Sequence, residues 1–296
     1  MSNQNVAGVA RAAMLVDLYI STYSGRKQDR RTQEEVTASK GANSKQAASV
    51  YKNLFANCKE LDDITKFQAK VRSEHYRLTM PWSDNGSRLL PTGLLQEYQA
   101  TIMGKHKAEF DQLVGKFLDK YDTLVAAAAF QIGTLFDRSE YLTRDQVARR
   151  FTMETSFSPL PTAGDFRVDI ESEVQRDLIA QYDAKAKAML AKANQDAWDR
   201  LYGVLSRLSD RLKVDEDGKK NVFHDTLVTN AEELCELLTS LNVTGDKDLE
   251  RARRRLEEAL TDVTPKALRD EDSTRTFTKQ KVDAILESFE WDLTDA

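Results

Sequence analysis

The sequence predicts an α+β fold, mostly helical: a long antiparallel helical hairpin with a small β-sheet at one end and shorter peripheral helices. Three observations carry this. Between Leu95 and Leu135, the residues Leu95, Tyr98, Ile102, Phe110, Phe117, Tyr121, Ala128 and Leu135 recur at helical spacing, which marks one apolar stripe on a helix. Between Val174 and Leu212 the pattern returns in Val174, Leu178, Tyr182, Ala186, Ala193, Ala197, Leu201, Leu205 and Leu212. Between these arms, Phe151 to Ile170 alternates apolar with polar residues and holds Pro159 and Pro161, the texture of strands and an extended loop. Each arm covers roughly 40 residues, or about 60 Å of helix at ~1.5 Å per residue.

The elements follow in order. Met14 to Tyr23 is apolar, β-branched and aromatic and reads as a strand, ended by Ser24-Gly25. Arg26, Lys27, Arg30 and Arg31 form a basic cluster. Short helices are expected over Glu34 to Ser39 and over Lys45 to Phe55. Leu61, Ile64, Phe67, Val71 and Tyr76 mark a longer one that stops before Pro81. Pro81 to Arg88 is a dense turn, and Pro91 suits the first turn of the first arm. Thr143 suits a helix cap. Phe151 to Phe157 and Phe166 to Ile170 read as strands that join Met14 to Tyr23 in the small sheet. Phe223 to Leu241, Leu249 to Leu260 and Phe277 to Phe289 read as helices, followed by an acidic tip with Phe289 and Trp291. This divides the chain into a basic strand-plus-helices region (1–92), the hairpin with inserted strands (93–213) and C-terminal helices with an acidic tail (214–296). The three are expected to fold as one cooperative domain.

The chain of 296 residues carries a net charge of −5, unevenly spread. Residues 1–150 hold 22 Lys and Arg against 17 Asp and Glu, and the rest hold 21 against 31. A basic front half suits contact with a polyanion. The longest apolar run, Leu124 to Phe130, is far short of the ~20 residues needed to cross a bilayer, and no signal peptide is read at the start. Cys58 and Cys235 stand far apart in helical surroundings, as buried thiols of a reducing cytoplasm do.

No motif for catalysis is found. His75, His106 and His224 share no metal-ligand spacing with each other or with the cysteines, so no metal or other cofactor is expected. Gly25-Arg26-Lys27 lacks the upstream glycine of a phosphate-binding loop. An enzyme is therefore not expected. The informative signal is cations interleaved with rings. Tyr19, Tyr23, Tyr51, Phe55, Tyr76 and Trp82 lie among Arg26, Lys27, Arg30, Arg31, Lys45, Lys52, Arg72, Arg77 and Arg88. Such a mixture binds single-stranded nucleic acid, cations tracking phosphates and rings stacking on bases. The bland reading is a core of rings under a solvated charged face. The run Arg251-Ala252-Arg253-Arg254-Arg255 sits beside Glu250, Glu257 and Glu258 and reads as intrahelical pairing.

Three strings add a resemblance. Leu18-Tyr19-Ile20-Ser21 with Ser24-Gly25-Arg26-Lys27, then Met80-Pro81-Trp82-Ser83-Asp84-Asn85-Gly86-Ser87-Arg88-Leu89-Leu90-Pro91, then Gly164-Asp165-Phe166-Arg167-Val168, resemble a domain family of tailed bacteriophages and mobile elements, largely of unknown function. The chain also resembles single-stranded-DNA-binding RNA-polymerase cofactors of podoviruses that carry a polymerase in the virion. The resemblance implies a sequence-nonspecific single-stranded-DNA-binding protein of the host bacterial cytoplasm. It would act with a phage RNA polymerase in transcription, or in replication. A homo-oligomer joined through the coiled-coil-like arms is also expected. The alternative is a helical scaffold that works with an AAA-type ATPase and binds no nucleic acid. The residues expected to touch DNA are Arg26, Lys27, Arg30, Arg31, Lys45, Arg72, Arg77, Trp82, Arg88, Phe166 and Arg167. Their suitability is read from their chemistry.

Overall fold

A computed structural model of the chain describes residues 6–44, 46–83, 86–161, 172–214 and 220–291. The fold is α+β and mostly helical, with a small antiparallel sheet. Along the chain, helix α1 (Val6–Ala12) leads into strand β1 (Ala13–Ser21). The next turn is Gly25, with φ of +63°, where an added Cβ would lie 3.0 Å from the Phe55 ring. Glycine fits both the left-handed backbone and the close approach. Strand β2 (Arg26–Gln28) then runs into helix α2 (Arg30–Ser39). Strand β3 (Tyr51–Asn53) returns antiparallel to β2, in the register Arg26↔Asn53, Lys27↔Lys52 and Gln28↔Tyr51.

The helix expected over Lys45 to Phe55 is therefore not formed. Asp29 N donates to Val50 O at 2.9 Å and Leu54 N to Gly25 O at 2.8 Å, so strand pairing takes the backbone groups that a helix would use. The burial of Leu54 and Phe55 holds it there.

Helix α3 (Lys59–Leu78) buries Leu61, Ile64, Phe67, Val71 and Leu78. Strands β4 (Met80–Pro81) and β5 (Arg88–Pro91) form a second hairpin. Pro91 closes β5, and a 3-10 turn, Thr92–Leu94, opens the first arm. That arm is not one helix. It runs as α4 (Leu95–Tyr98), a π-helical stretch Gln99–His106, α5 (Lys107–Asp119) and α6 (Tyr121–Gln131). Two 3-10 turns, Gly133–Leu135 and Arg138–Glu140, lead to α7 (Arg144–Ala148). As expected, Thr143 caps α7, in a capping box with Gln146. Strand β6 (Thr152–Pro159) precedes the second arm, the continuous helix α8 (Ser172–Leu212). Helices α9 (Thr226–Leu241), α10 (Lys247–Leu260), α11 (Pro265–Asp270) and α12 (Asp272–Ser288) complete the chain. The strand expected over Phe166 to Ile170, the acidic turn at residues 215–218 and the last five residues of the tail lie outside the described residues.

The chain divides into two compact units that do not follow the three consecutive blocks expected from sequence. Unit one comprises residues 1–17, 76–97 and 156–296. The four-stranded sheet has the order β4-β5-β1-β6, and within unit one β5 lies antiparallel to β1 from Ala13↔Pro91 to Val16↔Arg88. Helix α8 packs on α12, α9 and β4. Its stripe Ala193, Ala197, Leu201, Leu205 and Leu208 is buried, as are Leu238 of α9, Leu256 of α10 and Val282 and Ile285 of α12. Asp246 Oδ2 accepts from Asn194 Nδ2 and Trp198 Nε1, while its Oδ1 caps α10. Phe289 and Trp291, the aromatic pair of the tail, lie 5.6 and 5.4 Å from the Trp198 ring.

Unit two comprises residues 18–75 and 98–155, so the broken first arm belongs here from Tyr98 onward. Its core centres on Phe55, whose ring lies 5.8 Å from Phe117, 5.7 Å from Tyr121 and 5.4 Å from Tyr141. The Tyr121 hydroxyl donates to Leu142 O and the Tyr141 hydroxyl to Leu54 O. Burial pushes both phenols up to about 12.

Candidate nucleic-acid interface

Of the basic cluster Arg26 to Arg31, Lys27, Arg30 and Arg31 stay together because three short pieces of chain meet in unit two. The β2–β3 ribbon presents Lys27 and Lys52, the first turn of α2 presents Arg30 and Arg31, and the turn at 134–140 presents Arg138. They line a cleft of about 950 Å³.

The acids of this cleft are engaged by the protein itself. Asp29 caps α2, accepting from Thr32 N at 3.2 Å and Thr32 Oγ1 at 2.9 Å. Those bonds hold its carboxyl below the usual carboxylate range. Asp137 accepts from Ser139 Oγ and N at 2.7 and 2.9 Å, and it too is held low. Glu35 pairs with Arg31 at 3.3 Å. Glu140 lies 2.6 Å from Lys52 Nζ and 3.8 Å from Lys27 Nζ.

The cations are less fully matched. Arg138 Nη1 donates to Tyr141 O at 3.3 Å. The exposed guanidinium of Arg30 has no hydrogen bond or ion pair among the described residues. Arg30 and Arg31 stand in the first turn of α2, which holds no acidic residue. The Asp29 carboxylate at the N-cap offsets the positive end of the helix only in part, and the two cations beside it leave the site favourable for a further anion.

Side chains alternate along a strand, so the ribbon has two faces. Lys27 and Lys52 face the cleft; Arg26 and Tyr51 do not line it. The Arg26 guanidinium lies 6.0 Å from the centre of the Tyr51 ring, which is 57% exposed. An exposed ring beside a row of cations can stack on a base.

The other predicted contacts lie elsewhere. In unit two, Arg72 donates to Ile20 O at 3.5 Å. In unit one, Arg77 pairs with Glu97 at 2.8 Å. Arg88 Nε donates to Thr79 Oγ1 at 2.7 Å and its guanidinium lies 4.7 Å over Tyr76. Trp82 is 7% exposed and offers no ring face to a base. It stands in a turn-rich string, yet directly after β4 its side chain is buried. Lys45, Phe166 and Arg167 lie outside the described residues. Lys52 and Arg138 belong to the cleft but carry no local motif: the first is placed by strand register, the second by a turn 86 residues later.

The run Arg251 to Arg255 pairs largely within α10: Arg253 with Glu250 and Glu257, Arg254 with Glu250, and Arg251 with Asp248. Cys58 and Cys235 are buried free thiols, and burial pushes Cys235 up to about 12. Among the described residues no group of three His, Cys, Asp or Glu side chains is placed to hold a metal, and no helix is long and apolar enough to cross a membrane. No protein family, curated protein or solved structure matches the chain.

Proposed function

We propose that the protein binds single-stranded DNA without sequence preference, with the cleft of unit two as the phosphate site. The observation that carries this is the cleft itself. Lys27, Arg30, Arg31, Lys52 and Arg138 converge on it from three segments, and its four acids are each occupied by a cap or an ion pair. The guanidinium of Arg30, without a partner among the described residues, offers a bidentate fork for a phosphate. Tyr51 on the other face of the ribbon offers a stacking surface. A strand that rounds the edge of this narrow ribbon meets both. None of these contacts reads a base edge, so the binding tolerates any sequence. Delivery of the strand to a phage RNA polymerase is the part of this reading supported by the sequence resemblance alone.

Fluorescence anisotropy with labelled oligo-dT tests the reading. Binding is expected at low salt, with log affinity falling against log salt by about 0.7 per phosphate contacted. An absence of binding at low salt overturns it and favours the scaffold alternative.

A further inference from the structure

Lys27 and Lys52 are directly opposed across the β2–β3 ribbon. Like charges in that register repel and weaken a two-stranded pair. Something anionic has to lie between them, and in this structure it is Glu140. Its side chain is 16% exposed, and it is ion-paired closely with Lys52 through Oε2 and loosely with Lys27 through Oε1. Lys52 Nζ, itself 9% exposed, also donates to Leu135 O at 2.9 Å.

A carboxylate and a phosphate present the same chemistry to an ammonium group: oxygen atoms that accept hydrogen bonds and carry negative charge. Glu140 stands on the 3-10 turn Arg138–Glu140, not on the ribbon, so it can withdraw without undoing the β2–β3 pairing. Lys27, 47% exposed at its side chain and 3.8 Å from the carboxylate, is the cation most open to exchange. We infer that Glu140 is an internal counter-anion that holds the place of a backbone phosphate between Lys27 and Lys52, so that it competes with the bound strand and sets its affinity. The inference rests on the proposed phosphate site and names the residue that tunes it. Only the anion at the pair is exchanged, and no covalent step is involved.

The test compares wild type with Glu140→Gln and Glu140→Asp by oligo-dT anisotropy over a range of salt, with thermal melts of each protein. Glu140→Gln is expected to bind several-fold more tightly and to steepen the salt slope by about 0.7, one phosphate's worth. Glu140→Asp keeps the charge but draws it back from Lys52, and is expected to fall between. Inorganic phosphate, titrated as a competitor, separates an affinity for the strand from an affinity for any phosphate. Strand binding that outlasts excess phosphate supports the strand as ligand, and equal displacement from all three proteins counts against it. If wild type binds and Glu140→Gln binds no more tightly while melting as wild type does, the placeholder role is overturned and the site stands. If Glu140→Gln melts early, Glu140→Asp decides alone, and unchanged affinity there overturns the inference. If none of the three binds, the phosphate site and this inference fall together.

Discussion

The Arg275 Nε donates to the carbonyl oxygen of Leu212, the last residue of α8, at 3.1 Å. The same guanidinium reaches Leu268 O at 3.2 Å, Arg211 O at 2.5 Å and Asn221 O at 3.2 Å. A buried cation, 1% exposed, thus serves as the C-terminal cap of a 41-residue helix. The last carbonyls of a helix have no partner within it and carry its negative end. Arg200 does the same for α3, donating to the carbonyls of Tyr76, Arg77 and Thr79 at 2.9, 2.7 and 2.7 Å.

Arg275→Met keeps most of the volume and removes the donors. Five carbonyls, Lys213 O at 3.5 Å included, then lose their partner. A loss of about 3 kcal/mol or more is expected in urea unfolding. A loss below about 1 kcal/mol would show that water replaces the guanidinium and that the cap is dispensable.

The pairing around Glu250 sets a pH dependence. Hydrogen bonds from Arg253, then from Arg254, bring its carboxyl from an ordinary 4.5 to about 2. A carboxyl lowered in the folded state adds stability that is fully present above its unfolded value. That contribution is lost as pH falls from about 4.5 towards about 2. The stability difference between wild type and Glu250→Gln should therefore be constant at neutral pH and shrink across that acid window, as urea melts at stepped pH would show. A difference that stays level throughout would mean that the pair is screened by solvent.

Arg30→Glu should move binding and stability in opposite directions. It removes an exposed guanidinium of the cleft, so oligo-dT affinity should fall and the salt slope should drop by at least about 0.7. It also replaces a cation with an anion in the first turn of α2, which favours the helix by about 0.3–1 kcal/mol. Weaker binding with an unchanged or slightly higher melting temperature is the expected pair of results. A lower melting temperature would mean that Arg30 is structural.

Sequence periodicity placed most of the helices and two strands, because a buried stripe at 3.6-residue spacing needs only local information. The cap at Thr143 was legible for the same reason: a cap acts within its own first turn, here joined by Gln146. What each stripe packs against was not legible. Ala193, Ala197 and Leu201 read as one side of a hairpin seam, yet their helix packs on α12 and α9. Nor was the strand at Tyr51–Asn53, whose hydrogen bonds come from residues about 25 positions earlier. The cleft was half legible. Arg26 to Arg31 form a visible cluster, whereas Lys52, Arg138 and Glu140 join it through ribbon register and a turn, long-range facts that leave no local pattern.

The rings divide by what they bury, and two substitutions separate them. Trp82 directly follows strand β4 and has 7% of its surface exposed. Trp82→Ala leaves a cavity and should cost about 3–5 kcal/mol in unfolding, while the folded protein binds oligo-dT as before. Tyr51 sits on β3 with more than half its surface open and a guanidinium over one side. Tyr51→Ala removes little packing, so its melt should match wild type. Each stacked base contributes ~1–3 kcal/mol, so affinity should fall roughly five-fold or more, and less for an abasic oligomer than for oligo-dT. If Tyr51→Ala binds as tightly as wild type, no base stacks there, and the strand lies wholly on the cleft face of the ribbon.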